Sequence, residues 1–289
     1  FLIQNRPPQP HLDWIRCPQR DATELSRYCA GKPPKTYHHL EVTQRDLAEA
    51  LNTGLSRPPE THAESPYTLG DFATVMRGIV TGDNEFFFMT ARRAKELGIP
   101  LKYFIRAIGR MRDVEGDRID PADLDRLEDA GRPTLLLTVN GHPRESLPES
   151  IQRYLAEGEL GGLPEKTLIK TRNPWYKMET RKTAPILFAY LGRRNARFIR
   201  NAAEVAPLTC LLCVYPKDPA ATEALWNILA HPDTVANLRK VGKSYGGDAI
   251  KVEPRALERL PLPERLVREY GLDAFLEPVQ DFLDFNKVI

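Results

Sequence analysis

Proline sets the first limit on this chain. It occurs 25 times in 289 residues. Because it fixes φ and removes a backbone donor, helices rarely run through it. The sequence must fold as short elements joined by many loops. Within that limit, strand character is strongest over Phe72–Thr90, FATVMRGIVTGDNEFFFMT. Two apolar runs, Phe72–Val80 and Phe86–Thr90, flank Thr81-Gly82-Asp83-Asn84. Gly tolerates positive φ, and Asp and Asn bond back to their own backbone. The pattern predicts a strand, a tight polar turn and a second strand. The turn offers backbone N–H groups, a hydroxyl, a carboxylate and an amide at one tip, just after Arg77-Gly78. By local chemistry it is either an ordinary hairpin turn or a tip that reads base edges or holds a phosphate.

Upstream, Phe1–Gln4 and Leu12–Cys17 read as paired strands, and Thr43–Leu55 as a helix capped by Thr43 with Leu47, Ala50 and Leu51 on one face. The polar, Pro-rich Arg57–Pro66 then reads as a linker. This divides the chain into an N-terminal segment, 1–65, and a main domain, 66–289. The chain opens FLIQN, without an initiator Met and inside a strand-like run, so it reads as part of a longer protein. It has no signal-peptide pattern and no run of about 18 apolar residues, so no membrane span is expected. Four cysteines, at 17, 29, 210 and 213, are too few for a disulfide scaffold of this length and fit a reducing cytoplasm.

Downstream, helices are predicted over Ala91–Leu97, ending at Gly98, and over Pro121–Ala130, capped by Asp120 and ending at Gly131. Further helices are predicted after Asp218, over Thr234–Val241, and as two short pieces within Leu262–Ile289. Thr134–Val139, Pro185–Leu191, Ala196–Asn201 and Thr209–Tyr215 read as strands, and Lys243–Pro254 as a Gly-rich turn into a short strand. The predicted class is α+β: a mixed, twisted β-sheet with peripheral short helices.

Charge is segregated along the chain. Residues 112–165 hold 13 acidic and six basic side chains, a local net of −7. Residues 166–200 hold ten Lys or Arg against Glu179 alone, a local net of +9, interleaved with Trp175, Tyr176, Phe188 and Tyr190. A second polar turn, Gly192-Arg193-Arg194-Asn195, carries two guanidinium groups. A charge run is usually a solvated face. Beside aromatics, in a strand-rich context and next to a −7 neighbour, it points to a polyphosphate partner.

Other chemistries find little support. Cys210 and Cys213 match CxxC, but apolar flanks and the lack of a second pair favour core packing over zinc. The six His form no metal-ligating spacing, and there is no nucleophile elbow or phosphate-binding GxxxxGK[ST] loop. Asn173-Pro174-Trp175-Tyr176 is similar to the Asn-Pro-Pro-Tyr motif of amino-methyltransferases, with Trp in place of the second Pro. No glycine-rich S-adenosylmethionine turn precedes it, so it reads as a look-alike.

Four pieces, in order between roughly Leu69 and Pro263, carry a family resemblance. Gly78–Asn84 with Phe86-Phe87 resembles the opening hairpin of target-recognition domains in bacterial adenine-N6 DNA methyltransferases. Arg172–Arg181, then Pro185–Tyr190 with Arg197–Asn201, look like the segment that follows there. Ser244–Pro263 is similar to the closing segment, shared with specificity subunits of type I restriction systems.

The resemblance implies sequence-specific recognition of double-stranded DNA, as the C-terminal specificity domain of a site-specific methyltransferase in restriction-modification. S-adenosylmethionine would bind an upstream methyltransferase domain, of which residues 1–65 would be a remnant or linker, and this segment would hold no cofactor, metal or catalytic residue. The alternatives are a non-catalytic type I specificity subunit and an unrelated RNA-binding or scaffold protein. Base readers would be Asn84 and Asn201 at adenine, Arg77, Arg193 or Arg194 at guanine, and Asp83 at cytosine. Further DNA-binding candidates are Thr81, Lys170, Arg172, Lys177, Arg181, Asn195, Arg197, Lys243 and Tyr245. Trp175 and Tyr176 either stack in the nucleic-acid groove or pack in the core.

Overall fold

The computed structural model describes residues 9–17, 22–31, 39–53, 55, 65–139, 142–189, 196–245 and 249–276. Its strands are β1 (His11–Arg16), β2 (Glu41–Asp46), β3 (Ala73–Arg77), β4 (Phe88–Met89), β5 (Phe104–Ile108), β6 (Arg118–Ile119), β7 (Leu135–Leu137), β8 (Ile186–Ala189), β9 (Arg197–Asn201), β10 (Ala206–Pro207), β11 (Leu212–Pro216), β12 (Lys243–Tyr245) and β13 (Ala249–Lys251). They form a five-stranded sheet of order β3-β11-β8-β9-β6 and a four-stranded sheet of order β10-β5-β7-β4. Two antiparallel pairs, β1–β2 and β12–β13, stand apart. Both larger sheets are mixed, with parallel pairs β6–β9 and β5–β10. The class is α+β.

Side-chain alternation explains why the five-stranded sheet is covered on both faces. In β8, Ile186 and Phe188 enter one core, and Leu187 and Ala189 the other. The first core takes Leu225, Ile228 and Leu229 from helix Thr222–Ala230 and Leu257 from helix Pro254–Glu258. The second takes Leu124 and Leu127 from helix Pro121–Asp129, whose Asp120–Asp123 capping box is formed as its sequence suggests. A third core surrounds Leu135–Leu137 and takes Ile151, Tyr154 and Leu155 from the 12-residue helix Glu149–Leu160. Among the described residues no helix is long and apolar enough to cross a membrane.

The two large sheets join at Gly78-Ile79. Gly78 N–H donates to Leu211 O (3.0 Å), Ile79 N–H donates to Pro207 O (2.8 Å), and Ile79 bridges Leu208. A Cβ on Gly78 would lie 2.1 Å from Leu208 O and 2.6 Å from Pro207 O. Only a bare backbone passes here.

The structure corrects several expected elements. Phe72–Thr90 is not a hairpin: β3 lies in the five-stranded sheet and β4 in the four-stranded one. Phe72 closes a helical turn, Leu69–Phe72, begun by a Thr68–Asp71 capping box, and Asn84–Phe87 is a second turn. Leu12–Cys17 pairs through β1 with β2, and Phe1–Gln4 lies outside the described residues. Thr43 is inside β2, and the helix over Leu47–Thr53 starts at Asp46, whose Oδ1 accepts from Glu49 N–H (2.8 Å). Leu51 is 60% exposed and is not core. The strand expected from Thr209 begins at Leu212, and Thr234–Val241 is broken into Pro232–Ala236 and Leu238–Val241. Most of the Arg57–Pro66 linker lies outside the described residues.

Gly78→Ala is expected to destabilise the protein by on the order of 3 kcal/mol, since the obstacles are backbone atoms that cannot repack. A fall in the urea midpoint with unchanged m-value checks this. A variant within about 0.5 kcal/mol of the parent contradicts the junction.

Candidate nucleic-acid interface

The basic segment 166–181 is laid along the crossover from β3 to β4, and a series of contacts fastens it there. At one end, Asp83 Oδ1 accepts from Phe86 N–H (2.9 Å) and so caps the Asn84–Phe87 turn, while Oδ2 pairs with Lys166. Next, Ile169 is fully buried against Gly82, where an added Cβ would lie 2.6 Å from Ile169 Cγ1. Gly82 also has a φ of 81°, so both backbone and space demand glycine. Arg172 Nη2 donates to Val80 O (2.8 Å), and its guanidinium lies 6.0 Å from the centre of the Phe87 ring. At the other end Arg181 pairs with Glu179 and donates to Arg77 O.

The aromatics of the segment are anchors. Tyr176 is 5% exposed and its hydroxyl donates to His142 O (3.2 Å). Burial pushes that phenol's pKa up, with Glu145 adding to the effect. Trp175 packs on Phe86 and Phe87, and its Nε1 donates to Glu159 (3.1 Å). Arg144 donates to the same carboxylate, which its hydrogen bond holds below the usual value against the opposing effect of burial. Tyr176 lies in the core, and Trp175 is half-buried against its margin. Phe86 stacks on Tyr154 at 4.3 Å, and Tyr154 Oη donates to Phe86 O (2.8 Å).

The arginines of the basic region go mostly to the fold. Besides Arg172 and Arg181, Arg197 donates to Val114 O (2.9 Å) and Gly116 O (2.6 Å). Arg200 donates to Pro185 O (3.0 Å) and pairs with Glu223. Arg77 pairs with Glu253, which also holds Lys251 (2.9 Å). The planar guanidinium, with five donors and weak hydration, suits such backbone ties. Three of the four lysines, all but Lys166, are left over. Lys170, Lys177 and Lys182 are exposed, and each is without a carboxylate partner among the described residues.

The expected site residues therefore divide. Lys170 and Lys177 face solvent with free charges, and Asn84 is exposed, its Oδ1 accepting from the Thr81 hydroxyl (2.6 Å). Thr81 itself is 4% exposed and serves that bond. Asn201, expected to read adenine, is 3% exposed. Its Nδ2 donates to Ala184 O (2.8 Å) and Val205 O (2.9 Å), and its Oδ1 accepts from Val205 N–H (3.0 Å). Burial and full satisfaction take Tyr176, Thr81 and Asn201 off the accessible surface. Asp83 is committed to its cap and to Lys166. Arg193, Arg194 and Asn195 lie outside the described residues, and Lys243 and Tyr245 are placed on β12 by their backbone. Lys166 and Lys182 belong to this surface although neither stood out in the sequence, because a lysine in a charge run carries no mark of whether it is paired. Beside Arg181, a groove of about 390 Å³ is lined by Lys102, Tyr103, Ile105, Thr138, His142, Glu179 and Thr180.

The one stretch resembling an amine-binding loop, Asn173–Tyr176, has its Tyr176 ring in the core and its Trp175 indole tied to Glu159. Cys213 is buried in the second core and Cys210 packs at its margin, where burial pushes the Cys210 thiol up to about 12.

Comparison with known proteins gives the chain a family. Residues 60–286 match the family model described as type II methyltransferase M.Eco57I, C-terminal domain. The chain is 29% identical over 192 residues to the type II methyltransferase M.AccI of Acinetobacter calcoaceticus, covering 65% of this chain and 35% of that protein. It is 27% identical over 198 residues to the type II methyltransferase M.XamI of Xanthomonas campestris pv. amaranthicola, covering 68% and 36%. The chain thus spans about a third of the length of these relatives. Among solved structures, the type IIG restriction endonuclease BpuSI aligns with a TM-score of 0.44 at 12% identity, over 91% of this chain and 35% of its own. The type IIL restriction-modification enzyme MmeI, solved in complex with DNA, aligns with 0.45 at 12%, over 71% and 26%.

The Asp83 anchor makes stability depend on pH. Burial alone would raise this carboxyl, but Lys166 and the N–H groups of Phe86 and Glu85 outweigh it and hold it below 3.8. Its contribution is present above pH 3.8 and is lost as pH falls through the lower folded-state value. Asp83→Asn keeps the cap and removes the ion pair, so at pH 7 it should cost roughly 1 kcal/mol. That gap should close in urea titrations carried below pH 3.8. A gap that persists unchanged in acid contradicts the assignment.

Proposed function

The chain belongs to the family of the C-terminal domain of the type II methyltransferase M.Eco57I, and from that membership we propose that it grips and reads double-stranded DNA for a site-specific adenine-N6 methyltransferase of a restriction-modification system. The observation that carries the reading is the division of the basic segment. Its arginines are bonded to backbone carbonyls, while Lys170, Lys177 and Lys182 stay exposed and, among the described residues, unpaired along a segment held rigid by the crossover.

Unpaired ammonium groups on a fixed backbone suit phosphate contacts. Each phosphate neutralised releases counterions, which gives affinity a steep salt dependence without sequence information. Base reading falls to Asn84, which is exposed, and to two arginines of the sequence Gly192–Asn195. Asn84 presents an amide whose orientation is set by Thr81 and is assigned to adenine. Arg193 and Arg194 are assigned to guanine, and Asn195, Lys243 and Tyr245 are assigned as further DNA contacts.

In this reading residues 66–289 are the recognition domain and residues 1–65 lead from an upstream catalytic domain. S-adenosylmethionine supplies the methyl group there, and the present chain takes no part in binding it. Its contribution is to fix register and orientation on the duplex so that the chosen adenine reaches the catalytic side.

The test is duplex binding by the Lys170→Ala/Lys177→Ala/Lys182→Ala protein across a salt series. The slope of log affinity against log salt should become shallower by about 0.9 for each phosphate contact removed. The melting temperature should hold, since these side chains support nothing in the fold. An unchanged slope, or binding that prefers RNA of the same sequence, overturns the reading.

A further inference from the structure

Leu168 is 57% exposed, in the turn between Lys166 and Arg172. A single exposed leucine is ordinary; this one differs in what surrounds it. The turn is closed by Ile169 N–H to Lys166 O (2.8 Å), Lys170 N–H to Lys166 O (2.9 Å) and Arg172 N–H to Ile169 O (2.9 Å). Its neighbours are committed inward: Lys166 to Asp83, Ile169 to Gly82, and Arg172 to Val80 O. Ile169 already supplies the apolar anchor of the turn, so packing does not require a second apolar residue beside it. Thr167, Lys170 and Thr171 are exposed as well, and Leu168 is the one exposed apolar side chain of the turn, next in sequence but one to the ammonium of Lys170.

We propose that Leu168 is the apolar contact of this cationic turn with DNA, pressed into a groove against the bases while Lys170 holds the adjoining phosphate. The proposal rests on the duplex-binding reading above. Proteins that read the minor groove with cationic and amide side chains insert apolar side chains, leucine among them, between base steps. Here both sides of the turn are fastened to the crossover.

The contact is apolar, so it differs from a phosphate contact in its salt signature. In the full-length enzyme, Leu168→Ala should lower duplex affinity about tenfold, as expected for a leucine returned to water, by the same factor at every salt concentration. Lys170→Ala should instead flatten the salt slope. As a second readout, Leu168→Trp should add an indole emission that duplex DNA quenches by stacking. This second variant decides the matter if Leu168→Ala lowers the melting temperature. Parental affinity in Leu168→Ala, a loss that varies with salt, or an added emission in Leu168→Trp that duplex leaves unquenched overturns the contact while leaving duplex binding intact. A parent enzyme that binds no duplex at all removes the functional reading, and this proposal with it.

Discussion

The fold depends on how one crossover is held. The chain leaves the five-stranded sheet after β3, passes as bare backbone at Gly78, and enters the four-stranded sheet at β4. The Val80–Asn84 stretch between them has polar backbone groups and few ladder partners. Buried carbonyls without partners are costly. Here Val80 O accepts from Arg172, Arg77 O from Arg181, and the N–H groups near Asp83 are capped by its carboxylate. The basic segment supplies these donors, and its aromatics fill the core beneath. Removing the segment would leave two sheets joined by an unsatisfied strand of chain.

This use of the segment reshapes the electrostatic argument. A local net of +9 suggests a uniformly cationic face. In the fold, Arg172, Arg181, Arg197 and Arg200 are drawn into carbonyl and carboxylate contacts, and among the described residues the free charge sits on the ammonium groups of Lys170, Lys177 and Lys182. Arginine satisfies several carbonyls at once with one planar fork, while lysine is strongly hydrated and stays in water. Rigidity and charge therefore come from the same stretch: Arg172, Arg181 and Lys166 fix the platform, and Lys170, Lys177 and Lys182 are carried on it.

Much of the framework was legible in the sequence. The β8–β9 pair, the strand at Leu135–Leu137 and the helix after Asp120 follow from periodicity, capping and Gly stops. The 72–90 stretch misled for a specific reason. Thr, Asp and Asn favour turns, but the same side chains cap helices, and Asp83 caps Asn84–Phe87 instead of tightening a hairpin. Thr43 misled in the same way, with Asp46 the true cap. Asn201 and Tyr176 carry polar groups that local sequence assigns to a surface, yet carbonyls far away in the chain, Ala184 O and His142 O, satisfy them inside. Long-range partners of this kind leave no local pattern. For the candidate surface, the sequence located the segment, and only the packing separated its anchoring residues from its free ones.

Hydrogen exchange with and without duplex DNA tests the account most directly, because it reads segment and surface together. The amides of Ile169, Lys170, Arg172 and Lys177, which close the turns of the segment, should be protected in free protein, and amides over residues 166–182 should gain further protection on DNA. The acidic helix Pro121–Asp129 should show no change. Protection gained at that helix, or a segment 166–182 that exchanges freely and is indifferent to DNA, would contradict it.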